Sequence, residues 1–171
     1  WYVASMQRAY GSTDVTVPRV LRALGAFVRT LESRRSRYDL AMRGQGTLDE
    51  YEQRGEQLFM THCMACHGGS DFTDDSYASN GLPVDTMLLD VGRERVTHDV
   101  ADRYRFRVPS LRNIDRTPPY MHDGRLKRLK DVLAFYSTPS MRATHADKRM
   151  RDMPSFDDRQ RKDLLAFLMT F

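Results

Sequence analysis

Residues 59–68 read Phe59-Met60-Thr61-His62-Cys63-Met64-Ala65-Cys66-His67-Gly68, and both cysteines of the 171-residue chain lie in that run. Cys-x-x-Cys-His is the attachment pattern for c-type haem. The spacing has a physical reason. On a helical turn, positions i and i+3 share a face, so both thiols can reach the two vinyl groups along one porphyrin edge. His67 then follows as the proximal iron ligand through Nε2, its other ring nitrogen donating to a backbone carbonyl. A zinc site would need further soft ligands, and the chain has no third Cys. A thioredoxin-like pair would need a βαβ context and no adjacent His.

Upstream, the motif is approached by a helix. Thr47 and Glu50 read as a capping-box pair, with Tyr51, Gly55, Leu58 and Phe59 on one stripe behind them. Gly55 and Phe59 point to a close crossing with the last helix near Leu165 and Phe167, because Gly lets backbones approach. That last helix is expected from Ser155, with Asp158 completing a second capping pair, and carries Leu164, Leu165, Phe167 and Leu168. A shorter helix is expected within 126–136. Residues 68–92 are rich in Gly, Ser, Asp and Asn and show neither helical nor strand periodicity, as expected of a loop wrapped around something. A large flat cofactor would supply core that this stretch does not.

The first third of the chain is an arm. Val20, Leu21, Leu24, Phe27, Val28 and Leu31 fall on one helical face, with Thr16 as N-cap and Pro18 in the first turn. Residues 1–10 suit a shorter helix with Tyr2, Met6 and Tyr10 inward, and 33–46 read as a connector. The sequence therefore predicts a mostly α-helical, cytochrome c-type haem domain over 47–171 with an N-terminal helical arm over 1–46. It begins at Trp1 with no initiator Met and no visible signal peptide, so something upstream is expected to have been removed or left out.

Composition narrows the function classes. Lys and Arg number 27 against 23 Asp and Glu, a net charge of +4 spread among acids, which argues against nucleic-acid binding and leaves an acidic protein surface open as a partner. The longest apolar run, 164–169, is six residues, so no transmembrane segment is expected. Haem c is attached outside the cytoplasm, which makes a periplasmic, exported bacterial protein the expectation. For a sixth iron ligand, chemistry alone puts Met first. Met121, Met141, Met150 and Met153 all lie downstream of His67, as do His98, His122, His145 and several tyrosines. Arg107 and Arg112 have the geometry to pair with haem propionates, or else lie in solvent.

The run Phe106-Arg107-Val108-Pro109-Ser110-Leu111-Arg112-Asn113, followed by Thr117-Pro118-Pro119-Tyr120-Met121-His122-Asp123-Gly124, resembles the C-terminal haem domain of bacterial di-haem cytochrome c peroxidases and their MauG-like branch. Residues 23–31, Asp90-Val91-Gly92-Arg93 and the closing 164–168 fit the same family. The resemblance implies a sixth ligand fourteen residues after the His of the Tyr-x-His-Asp-Gly motif, Met in electron-entry peroxidases and Tyr in the MauG-like branch. Here that position is Tyr136. A phenolate favours oxidised iron, which suits storing oxidising equivalents. Met121 is then core beside the haem and His122 a supporting group near it. The resemblance also implies calcium between two haem domains, with the backbone carbonyls of Thr117 and Pro119 as ligands.

In that family a second, five-coordinate haem binds peroxide in an N-terminal half with its own Cys-x-x-Cys-His motif, which this sequence lacks. Three functions follow. The chain is the six-coordinate, electron-transferring and oxidant-storing half of a di-haem peroxidase or MauG-like enzyme, with a second haem domain or chain and an electron-donor protein or protein substrate as partners. Alternatively it is a stand-alone mono-haem electron-transfer cytochrome c, or a haem-based sensor or interaction module.

Overall fold

The structure, a computed structural model, describes residues 1–139, 142 and 144–171. It divides into two compact units, Trp1–Arg34 and Arg35–Phe171. The first holds α1 (Tyr2–Tyr10), which ends at a left-handed Gly11, and α2 (Val17–Val28). Thr16 is the N-cap of α2, although its side chain makes no capping hydrogen bond; Pro18 sits in the first turn where no amide is needed. Tyr10 Oη donates to the Arg19 carbonyl at 2.9 Å. Of the three α1 residues expected inward, Met6 is buried and Tyr10 half-buried, while Tyr2 is exposed. No residue of α2 is buried, and Leu21, Leu24, Phe27 and Val28 all face solvent.

The second unit contains α3 (Arg37–Met42), α4 (Glu50–His62), α5 (Glu94–Thr97), α6 (Leu129–Ser137), α7 (Lys148–Arg151) and α8 (Asp158–Leu168). Two-residue strands β1 (Tyr77–Ala78) and β2 (Phe106–Arg107) pair antiparallel, Tyr77 opposite Arg107. No helix among the described residues is long and apolar enough to cross a membrane. α3 is a departure from expectation, since it lies in the stretch read as a connector. Ser36 explains it: its hydroxyl accepts from the Asp39 amide while the Asp39 carboxylate reaches back to the Ser36 amide, a reciprocal cap strong enough to set a six-residue helix.

The two long helices start later than the sequence suggested. The N-cap of α4 is Asp49, not Thr47, and its partner is Glu52; the N-cap of α8 is Asp157, not Ser155, and its partner is Gln160. In both places a carboxylate two residues downstream of the expected hydroxyl wins, taking two amides of the first turn in α4. Tyr51 points to solvent, and Glu52 is buried and paired with Arg37 at 3.0 Å.

α4 crosses α8 at Gly55. A Cβ placed there would lie 2.0 Å from the Asp163 carbonyl oxygen and 2.8 Å from Phe167 Cβ, so only glycine allows this approach. Around the crossing, Phe59, Phe72, Phe167, Phe171 and Tyr38 pack mostly edge to face, with Phe72 and Phe171 stacked at 3.7 Å. Leu48, Leu129, Leu133, Leu164 and Leu168 complete the core, which holds the C-terminal end of α4 in place.

Candidate haem centre

The turn that carries Cys63 and Cys66 grows out of the end of α4. Cys63 N donates to Phe59 O at 2.8 Å, and His67 N donates back to Cys63 O at 2.9 Å, so residues 63–67 form one further helical turn. Both thiols are unbonded and half-buried. Burial, and then the neighbouring Cys66, push the Cys63 thiol up to about 12. Burial raises Cys66 as well, opposed by the charge of Arg149. Arg149 ties this turn down: it donates to the Ala65 carbonyl at 3.2 Å and pairs with Asp74 and Asp147.

His67 donates from Nδ1 to the Phe72 carbonyl at 3.1 Å. That fixes the tautomer and leaves Nε2 as the ring's lone-pair donor. Burial holds the imidazole below its ordinary pKa, while hydrogen bonds to the backbone at Phe72 and Pro109 oppose the shift. The ring is thus kept neutral, the form that binds metal.

Tyr136 lies on α6 and is half-buried. Burial raises its phenol; a hydrogen bond from the Asn80 side chain lowers it, and the charges of both Cys63 and Cys66 act on it. Asn80 is itself oriented, its Oδ1 accepting from the Leu82 amide at 3.0 Å and its Nδ2 lying 3.3 Å from Met121 Sδ. A small cleft beside it is bordered by Asn80, Leu82, Tyr104, Phe106, His122 and His145.

Two thiols at i and i+3 on one turn and a neutral imidazole with Nε2 free could hold a covalent haem, with the half-buried phenol of Tyr136 as a candidate oxygen ligand. They do not suit a zinc ion. Among the described residues no group of three or more His, Cys, Asp or Glu converges as a metal would require.

The remaining candidates are scattered. Met150 is buried in α7, Met153 is half-buried, and Met141 lies outside the described residues. His98 is an exposed helix cap, His122 lies exposed with its ring stacked on Phe106 at 3.9 Å, and His145 packs against Tyr104. Arg107 pairs with Asp75. Arg112 pairs with Asp39 at 2.8 Å. Thr117 and Pro119 share one exposed loop before Tyr120. Sequence reasoning missed Asn80, Arg149 and Asp39; none stands in a motif, and each acts through a partner 41 or more residues away.

Fold and site together define a c-type cytochrome domain, a class that carries haem bound covalently to the chain. Residues 52–171 match the cytochrome c family model, and residues 1–47 match that of di-haem cytochrome c peroxidases. The chain belongs to the cytochrome c family. It is 33% identical to a methylamine utilization protein MauG of Methylophilus methylotrophus, over 95% of this chain and 49% of that protein. It is 35% identical to a cytochrome c551 peroxidase of Nitrosomonas europaea, over 77% of this chain and 41% of that one. A solved MauG-like protein associated with microbial copper homeostasis superposes with a TM-score of 0.82 at 28% identity, over 99% of this chain and 57% of its own. The chain thus spans about half the length of the curated relatives it matches.

Proposed function

We propose that this chain is the six-coordinate, electron-transferring and oxidant-storing haem half of a periplasmic di-haem peroxidase or MauG-like oxidoreductase acting with hydrogen peroxide. Cys63 and Cys66 form the thioether bonds, His67 is the proximal iron ligand and Tyr136 the distal one. Haem in this setting supplies a one-electron couple, and an anionic oxygen ligand biases that couple toward oxidised iron. The observation that carries the reading is the Cys63–Cys66–His67 turn with Nδ1 of His67 engaged at the Phe72 carbonyl, together with a half-buried Tyr136 on α6, fourteen residues after His122.

Each residue has a task that follows from its surroundings. The Phe72 carbonyl orients His67. Asn80, held by the Leu82 amide, favours the ionised phenol of Tyr136. Phe59 and Phe72 keep water from the proximal side, being 1% and 3% exposed. Thr117 and Pro119 would offer backbone oxygens to a calcium ion, a hard cation that takes such ligands. Reduction of hydrogen peroxide to water consumes two electrons and two protons. One such couple holds a single oxidising equivalent, so the activity calls for a second haem domain or chain, and for an electron-donor protein or a protein substrate.

The test is peroxide-dependent oxidation of a reduced small cytochrome, with the haem-loaded chain alone and together with a second haem domain. Turnover only in the combined sample is expected. A reversible one-electron couple with no turnover in either sample would instead support a stand-alone carrier. Carbon monoxide binding with no sustained electron flow would support a sensor.

A further inference from the structure

His67 Nδ1 donates to the Phe72 carbonyl at 3.1 Å, and the segment that carries this carbonyl, 70–76, faces a second one, 108–112. The segments are stitched together repeatedly. Val108 N donates to Ser76 O at 2.8 Å, Thr73 Oγ1 donates to Val108 O at 2.7 Å, and Ser110 Oγ donates to Asp71 O at 2.6 Å. Arg112 closes the end nearest Phe72. Its Nε and Nη2 both donate to the Ser70 carbonyl, at 3.0 and 2.5 Å, and its guanidinium lies 5.0 Å from the centre of the Phe72 ring.

The remaining arm of that guanidinium is anchored from outside the haem-binding segments. Nη1 donates to Asp39 Oδ2 at 2.8 Å, and the two side chains are only 10% and 11% exposed. Asp39 Oδ2 also accepts from the Ser36 amide and hydroxyl, each at 2.9 Å, so the carboxylate cannot swing. This support matters because Phe72 has φ +52, in the left-handed region that a bulky residue rarely occupies. Such a conformation persists only where its surroundings over-determine it. Released, the 70–72 turn would relax and carry the Phe72 carbonyl away from Nδ1.

We propose that Arg112, held by Asp39, is the positioning residue for His67. It fixes the turn whose carbonyl accepts the Nδ1–H and thereby sets how strongly Nε2 donates to iron. The inference rests on the haem reading above. It gives α3, which precedes the haem motif in sequence, a direct mechanical line to the proximal ligand. A firm Nδ1–H bond makes the imidazole a stronger donor, which favours oxidised iron; a weakened bond raises the reduction potential.

The experiment compares the haem-loaded protein with Arg112→Lys, which keeps the charge and loses the planar fork, and with Arg112→Gln, which loses both. Positioning predicts that Arg112→Lys raises the reduction potential and shifts the ferric EPR g-values, at unchanged haem content. A through-space charge effect alone predicts that only Arg112→Gln changes, with a lower potential. A folded Arg112→Lys protein with the parent's potential and g-values overturns the proposal. Should that variant not fold, Asp39→Asn takes its place, and unchanged g-values there overturn it equally. A parent protein without covalent haem would overturn the haem reading itself, an outcome visible before any variant is made.

Discussion

The Nδ1 of His67 lies 3.1 Å from the carbonyl oxygen of Phe72, five residues on, and that contact decides which nitrogen of the ring can serve a metal. With the proton held at Nδ1, Nε2 carries the lone pair. The turn that continues α4 and the aromatic core around Phe72 hold this contact in place.

Replacing both thiols removes the covalent link. Cys63→Ser with Cys66→Ser is expected to abolish haem that survives denaturing electrophoresis, read by in-gel haem peroxidase staining. Either single variant retains one thioether at most, and its pyridine haemochrome band moves to the position of haem with one free vinyl group. Full staining of the double variant would show that the attachment lies elsewhere.

Tyr136→Phe removes the phenol and keeps the ring. The ferric optical and EPR spectra are expected to change, because a coordination position is released. The same variant should then bind an added ligand such as cyanide or imidazole more tightly than the parent, by about tenfold or more. Spectra identical to the parent would transfer the sixth position to another residue.

Gly55→Ala drives a methyl group into the Asp163 backbone, whose carbonyl oxygen would lie 2.0 Å from the added Cβ. The helices α4 and α8 must separate to admit it. The expected loss of unfolding free energy is about 3 kcal/mol, measured by urea denaturation. An exposed glycine such as Gly46, with open space at its Cβ, is the control and should cost far less.

Much of this was readable from one motif and its approach. Cys63, Cys66 and His67 are adjacent in sequence, so their chemistry is local, and the helical spacing of Gly55, Phe59 and Phe167 announced the crossing. Capping was harder to read, because Thr47 and Asp49 both satisfy the pattern. Only the reach of Glu52 back to the Asp49 amide, with Arg37 pairing to the same carboxylate oxygen, decides between them. Residues such as Asn80, Asp39 and Arg149 were illegible for a different reason. Their roles are made by contacts between distant segments that follow no periodicity.

Acid should weaken the fold in a defined window. Burial would raise Asp39, but hydrogen bonds from Ser36 and the Arg112 guanidinium outweigh it and hold the carboxyl below its ordinary value; Asp74 and Asp147 are held down in the same way, by Ser76 with Arg149 and by Arg149. A carboxyl whose folded pKa is depressed contributes stability above its unfolded pKa and loses it as pH falls through the folded one. The thermal unfolding temperature is therefore expected to fall gently below about pH 6.5, where burial makes His67 resist protonation, and to drop further below about pH 4 as these carboxyls protonate. Asp39→Asn should flatten part of that drop; an acid profile identical to the parent's would remove Asp39 from the explanation.

The most direct measurement is the mass of the proteolytic peptide that contains residues 63–67, taken from native protein matured with haem, alongside a haem count per chain. The account predicts one haem per copy of this chain, carried on that peptide through both sulfurs, with neither thiol open to alkylation. A peptide of unmodified mass with two alkylatable thiols would contradict it.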